Sequence, residues 1–157
     1  MRVYDLMTTP VVTIRSDKRL VVVDEVMQWH HIRHIPVIGN DGRLIGIVSH
    51  RDLLSAAVST LAVKIAAAER RQHLAMSEVE RIMNRNVISI GPDAPVQEAA
   101  ALLRTKRVGC LPVVEGGYLL GIVTESDMVR LVEHLPGGAL SSVRRPVPRT
   151  SAVAIPA

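Results

Sequence analysis

Two short motifs carry residue types that can do chemistry. Ser49-His50-Arg51-Asp52 follows Gly46-Ile47-Val48, and Thr124-Glu125-Ser126-Asp127 follows Gly121-Ile122-Val123. In each, a hydroxyl and a carboxylate stand three residues apart where a helical stretch begins. That spacing supports two readings. The hydroxyl can accept a backbone N–H while the acid reaches back, which is a helix capping box. The same helix start offers free N–H groups and a positive dipole end to a phosphate, and the Asp can accept hydrogen bonds from two sugar hydroxyls. One copy of the motif favours the cap. Recurrence after an apolar Gly-Ile-Val strand favours a ligand, more for Asp127 than for Asp52.

Other candidates are less specific. Ile32-Arg33-His34 precedes an apolar strand and has Val108-Gly109-Cys110 as its counterpart. On their own these residues read as a solvated Arg33 and a structural His34. His30, His31 and His34 invite a metal reading. No Cys or acid stands at a matching zinc spacing, however, and His30 and His31 fall on different faces of a helix, so a structural or surface role is favoured. Cys110, just before an apolar strand, reads as a buried, inert thiol. No Ser-His-Asp set, phosphate-cradling loop or dinucleotide fingerprint is present.

The elements that must position these residues come as a repeat. Met83 stands 76 positions after Met7, and Gly121 stands 75 after Gly46 because Gly116-Gly117 makes a shorter turn than Asn40-Asp41-Gly42. Val11-Val12-Thr13-Ile14 and Val87-Ile88-Ser89-Ile90 read as short strands of β-branched residues. Leu20, Val23, Val26 and Met27 have helical spacing, as do Val96, Ala99, Leu102 and Leu103. Ser16 or Asp17 can cap the first of these helices, and Asp93-Ala94-Pro95 can open the second. Ile35-Pro36-Val37-Ile38 and Leu111-Pro112-Val113-Val114 are strands that return through a turn to the Gly-Ile-Val strands. Residues 53–68 keep an apolar helical stripe, and 76–83 read as a further helical stretch. The organisation is therefore β-α-β-β-α twice: an α/β (α+β) fold with repeat one at 1–60, a helical linker at 61–79, repeat two at 80–134, and an Arg- and Pro-rich tail at 135–157 that lacks a packable period and is expected to be disordered.

Composition removes several function classes. Of 157 residues only Trp29, Tyr4 and Tyr118 are aromatic, too few for a surface that stacks single-stranded bases. The formal charge of +4 includes Arg144, Arg145 and Arg149 of the tail, which leaves +1 for the body and argues against a nucleic-acid surface. The lone Cys110 forbids an intrachain disulfide and fits a reducing compartment. The start, Met1-Arg2-Val3-Tyr4-Asp5, has no secretory signature. The apolar run at 53–68 contains Lys64 and is shorter than the ~20 residues of a membrane span. A soluble cytoplasmic protein without membrane insertion is expected.

The order Met-Thr-Thr-Pro-Val-Val-Thr-Ile, helix, His-Ile-Pro-Val, Asn-Asp-Gly, Gly-Ile-Val-Ser-x-x-Asp resembles a cystathionine-β-synthase (CBS) domain. Both copies resemble it, so residues 1–134 look like a tandem CBS pair, or Bateman module. The resemblance implies two repeats packed through their sheets about a pseudo-twofold, with two clefts between them. It implies adenosine-containing ligands in those clefts: AMP, ADP, ATP or S-adenosylmethionine. It also implies a regulatory module without catalysis, a homodimer, and a regulated partner that the residues do not name. A dimerisation or scaffold module with empty clefts is the alternative.

The family's crossed arrangement further implies which residues meet. One cleft gathers Thr124 and Asp127 with Pro10, Val11, Ile32, Arg33 and His34, and Arg51 leans toward the same phosphates. The other gathers Ser49 and Asp52 with Asn86, Val87, Val108, Gly109 and Cys110. On that division the Asp127 cleft holds the cations and the tighter site for phosphorylated nucleotides.

Overall fold

The computed structural model describes residues 1–57 and 67–134. The chain runs α1 (Val3–Leu6), β1 (Ile14–Arg15), α2 (Leu20–His30), β2 (His34–Ile38), β3 (Leu44–Ser49), α3 (His50–Ala57), α4 (Ala67–Met76), a 3-10 turn (Val79–Arg81), α5 (Val96–Lys106), β4 (Cys110–Glu115), β5 (Tyr118–Thr124) and α6 (Glu125–Glu133). This is the mixed α+β fold expected, built as two similar halves. Among these residues no helix is long and apolar enough to cross a membrane. The 135–157 tail and part of the 53–68 stripe lie outside the described residues.

Each half pairs its strands in the same way. β2 and β3 are antiparallel, with Pro36 opposite Ile47; β4 and β5 are antiparallel, with Pro112 opposite Ile122. β1 adds to β2 in parallel through Ile14 and Val37, and Ile90 makes the equivalent parallel bridge to Val113. The expected strands at 11–14 and 87–90 are thus reduced to their last residues. A run of β-branched residues favours strand, but these segments have a neighbour only at Ile14 and Ile90. Leu20, Val23 and Met27 of α2 pack on Ile35, Val37 and Val48; Ala99 and Leu103 of α5 pack on Leu111, Val113 and Val123.

The two cores exchange their leading segments. Val3, with Leu6 and Met7 beside it, belongs to the core of the second half, and Val79 and Met83 belong to the core of the first. Backbone bonds make the exchange twice over. The Val3 N–H donates to Ala94 O and the Val79 N–H to Lys18 O, each at 2.9 Å. The exchange also caps the helices. Leu20 N–H donates to Ser77 O at 2.9 Å and Val96 N–H to Met1 O at 3.3 Å, while Arg19 and Pro95 occupy the N-cap positions without a side-chain bond. The caps expected from Ser16, Asp17 and Asp93 are therefore replaced by carbonyls from the crossing segments. The same contact corrects the helix expected at 76–83. Ser77 is held by Leu20, and Glu78 is extended in a bridge to Arg19, so only a 3-10 turn follows.

Glycine allows the crossing to be close. A Cβ at Gly46 would lie 2.8 Å from Met83 Sδ, and one at Gly121 would collide with Met7 Sδ and lie 2.8 Å from its Cγ. An interior strand glycine of this kind marks backbone approach. Gly121→Val is expected to destabilise the fold by about 1–3 kcal/mol through overpacking, read from denaturant melts. Adding Met7→Ala should recover part of the loss. An unchanged midpoint for Gly121→Val would show that Met7 yields freely.

Candidate functional site

The helix starts supply the centre of the site. Asp52 Oδ2 accepts the Ser49 N–H at 2.7 Å and the Ser49 Oγ–H at 2.6 Å, and the Asp52 N–H donates to Ser49 Oγ at 3.3 Å. Asp127 Oδ2 likewise accepts the Thr124 N–H at 2.8 Å and its hydroxyl at 2.7 Å. Both capping interactions are formed. The two carboxylates differ in their second oxygen. Asp127 is only 4% exposed, and its Oδ1 faces Arg130 Nη1 at 3.8 Å. Asp52 is half-buried, and its Oδ1 has no hydrogen-bond partner among the described residues. That oxygen is a free acceptor beside a cavity.

The cavity encloses about 690 Å³, within the size range of small-molecule sites. Ser49 and Asp52 line it with Asn86, Val87, Val108, Gly109 and Cys110, the grouping that the crossed arrangement implied. The exchange explains why. Asn84 and Ile47 bond each other's backbone, which lays Asn86 and Val87 beside β3.

The cations fall elsewhere than expected. Arg33, His34 and Arg51 also line this Asp52 cavity. The reason lies within the first half. His34 is paired with Ser49 in the β2–β3 register, and the His50 N–H donates to Arg33 O at 2.8 Å, so this segment is tied to its own half's helix start. Gly109 completes the arrangement: His34 Cε1 lies 2.9 Å from where a Cβ would stand, in space that a side chain would fill. Ile32 lines a shallower hollow of about 300 Å³ shared with His31, Arg33 and His50. Pro10, Val11, Thr124 and Asp127 line neither space. Thr8 bridges Ile122, which brings Pro10 and Val11 near β5 as Asn86 and Val87 are near β3.

Four polar lining residues escaped the sequence reading: Asn84, His50, Glu125 and Arg107. His50 and Glu125 are the first residues of α3 and α6, positions treated as variable in the motif. Arg107 is the counterpart of His31. Both end their helices in the left-handed region, at φ 55° and 53°, without being glycine. That shared, unusual backbone was invisible in composition or spacing.

Two groups have perturbed protonation. Burial is the largest influence on His34 and lowers its pKa below 6.5; Glu125 and Asp52 pull it up, and Arg33 and Arg51 push it down further. Cys110 is pushed up to about 12 by burial and then by Glu125, so its thiol is not a nucleophile near neutrality. Among the described residues no three His, Cys, Asp or Glu side chains converge to hold a metal ion.

The family model for the CBS domain matches residues 3–59 and 79–134. The chain belongs to the CBS domain family. A CBS domain-containing protein of Dictyostelium discoideum is 37% identical over 150 residues, which span 95% of this chain and 97% of that one. A homoserine O-acetyltransferase of Methanococcoides burtonii is 33% identical over 131 residues, 83% of this chain but 24% of that enzyme. Among solved structures, the CBS domain pair of protein MJ0100, in complex with 5′-methylthioadenosine and S-adenosyl-L-methionine, superposes with a TM-score of 0.70 at 28% identity. It covers 85% of this chain and 96% of that one.

The sign of the His34 effect follows from its lowered pKa. The folded CBS pair favours neutral imidazole, so its contribution is present above about 6.5 and is lost as pH falls from there toward the folded value. Between pH 7.5 and 5.5 the unliganded protein is expected to lose more melting temperature than His34→Gln. Equal losses would mean that His34 does not feel its burial.

Proposed function

We propose that this CBS pair is a regulatory module without a reaction of its own, and that it binds an adenosine-containing ligand in the Asp52 cavity. The observation that carries the reading is the free Asp52 Oδ1 in a cavity also lined by Arg33 and Arg51. An acceptor for ribose hydroxyls thus stands beside cations for a phosphate. The complex of the related MJ0100 pair with two adenosyl compounds supports the same ligand class. A charge pair at 4 Å is worth about 4 kcal/mol before desolvation at an effective dielectric near 20. Arg33 and Arg51 therefore favour a phosphorylated ligand over adenosine itself, against the opposing charge of Asp52 and Glu125. The pseudo-equivalent position at Thr124 and Asp127, with Pro10 and Val11 nearby, is a second and weaker site in this reading, because the Asp127 carboxylate is enclosed and faces Arg130.

The module acts by differential binding. A ligand in the cavity touches β3 and α3 of the first half, β4 of the second, and the crossing segment at Asn86. It therefore favours one arrangement of these parts over others. The occurrence of a stretch 33% identical to this pair as about a quarter of an acetyltransferase supports a role as an attached or associated sensor. The exposed Val129 (60%) and Val132 (48%), three residues apart on α6, support association of two copies as well. That assembly is equally compatible with the scaffold reading.

Calorimetry against adenosine, AMP, ADP, ATP, S-adenosylmethionine and 5′-methylthioadenosine tests the proposal. At least one phosphorylated compound is expected to bind, and Asp52→Ala to weaken it at least tenfold while Asp127→Ala leaves it within about threefold. Absence of binding by the whole panel would favour the scaffold reading.

A further inference from the structure

Most arginines of the described chain face a carboxylate. Eight of them do so at 2.6–3.8 Å. Five are not among them: Arg81 and Arg104 lie away from the Asp52 cavity, and Arg33, Arg51 and Arg107 all line it. They come from separate elements. Arg33 lies between α2 and β2, Arg51 in the first turn of α3, and Arg107 at the C-cap of α5. Each element is fixed by its own packing, so the three charges are held around one space, none of them in a salt bridge among the described residues. Arg51 is also placed against the helix field, because the first turn of a helix favours an anion. Its charge is opposed there until an anion arrives.

The fixed charges of the cavity decide how much anion it suits. Against the three guanidinium groups stand Asp52, already holding Ser49, and Glu125 beside Gly109. The three guanidinium groups stand on three elements around a cavity of about 690 Å³, an arrangement that suits a chain of linked phosphates better than one compact phosphate. We propose that the ligand of this cavity carries at least two linked phosphates, and that Arg107 sets that preference by taking the phosphate farthest from the ribose. The proposal rests on the adenosine reading for the ribose end alone. Arg107 replaces His31 of the other copy, so the pseudo-equivalent position lacks this charge. Glu125 works against the same phosphates and limits their affinity.

Calorimetry with adenosine, AMP, ADP, ATP and inorganic tripolyphosphate separates the two ideas. ATP is expected to bind at least tenfold tighter than AMP, and Arg107→Ala to remove most of that ratio while changing AMP by less than about threefold. Arg107→Lys should keep part of the ratio, and a melt of each variant checks that it folds. Glu125→Gln should tighten tripolyphosphate. Raising the salt concentration should weaken ATP more than AMP, because these arginines are exposed. Tripolyphosphate binding that depends on Arg107, with no response to adenosine or AMP, would uphold the phosphate site and overturn the adenosine reading. Equal affinities for AMP and ATP, or equal losses of both in Arg107→Ala, would overturn the phosphate-chain proposal and leave the adenosine reading standing.

Discussion

Asn84 and Ile47 exchange two backbone hydrogen bonds, at 2.9 and 3.0 Å, across the boundary between the two halves. Thr8 and Ile122 do the same at 2.9 and 3.1 Å. Everything at the cleft depends on these crossings. They are close because Gly46 and Gly121 present no side chain to Met83 and Met7. They carry Val79 into one core and Val3 into the other, both fully buried. Burying a valine side chain contributes roughly 1.5–3 kcal/mol, so pulling the halves apart would expose part of each core. The cleft therefore lies on a seam that both cores hold closed.

The electrostatics of the seam follow from the same connections. The β2–β3 register ties Arg33 and His34 to Ser49, and the crossing segment lays Asn86 opposite them. Positive charge from the first half thus meets polar groups delivered from beyond the linker. Asp52 and Glu125 offset two of the three arginine charges at the cavity, and His34 lies among the four charged neighbours that shift its proton. The copies are similar in backbone and unlike in charge. Arg33-His34 in one is Gly109-Cys110 in the other, and His50 in one is Glu125 in the other. The pseudo-equivalent positions thus differ in charge, and Arg33, Arg51 and Arg107 gather on the Asp52 side.

Much of this was legible in the residues. The two Gly-Ile-Val motifs, the hairpin turns and the helical spacing of Leu20, Val23 and Met27 are local signals, and local hydrogen bonding and burial satisfy them. The failures share a physical cause. Ser77 and Glu78 lie within helical spacing, yet their backbone is captured by Leu20 and Arg19 from far along the chain. The same capture replaced the caps expected from Ser16, Asp17 and Asp93. For the site, residue types were readable, and so was the company of Ser49, Asp52, Asn86, Val87 and Val108 to Cys110. The placement of Arg33, His34 and Arg51 was not. It depends on which helix start the His34 strand pairs with, and a repeat offers two equivalent choices. Arg107 left no trace at all, because its position depends on a left-handed helix end shared with His31.

An adenosine-containing ligand is expected to occupy the seam at Asp52 rather than its counterpart at Asp127. A crystal structure of the protein grown with ATP is the direct test. Ribose hydroxyls are expected on the Asp52 carboxylate and phosphate oxygens within hydrogen-bond distance of Arg33 or Arg51. Ligand density confined to the Asp127 side, with the Asp52 cavity empty, would contradict it.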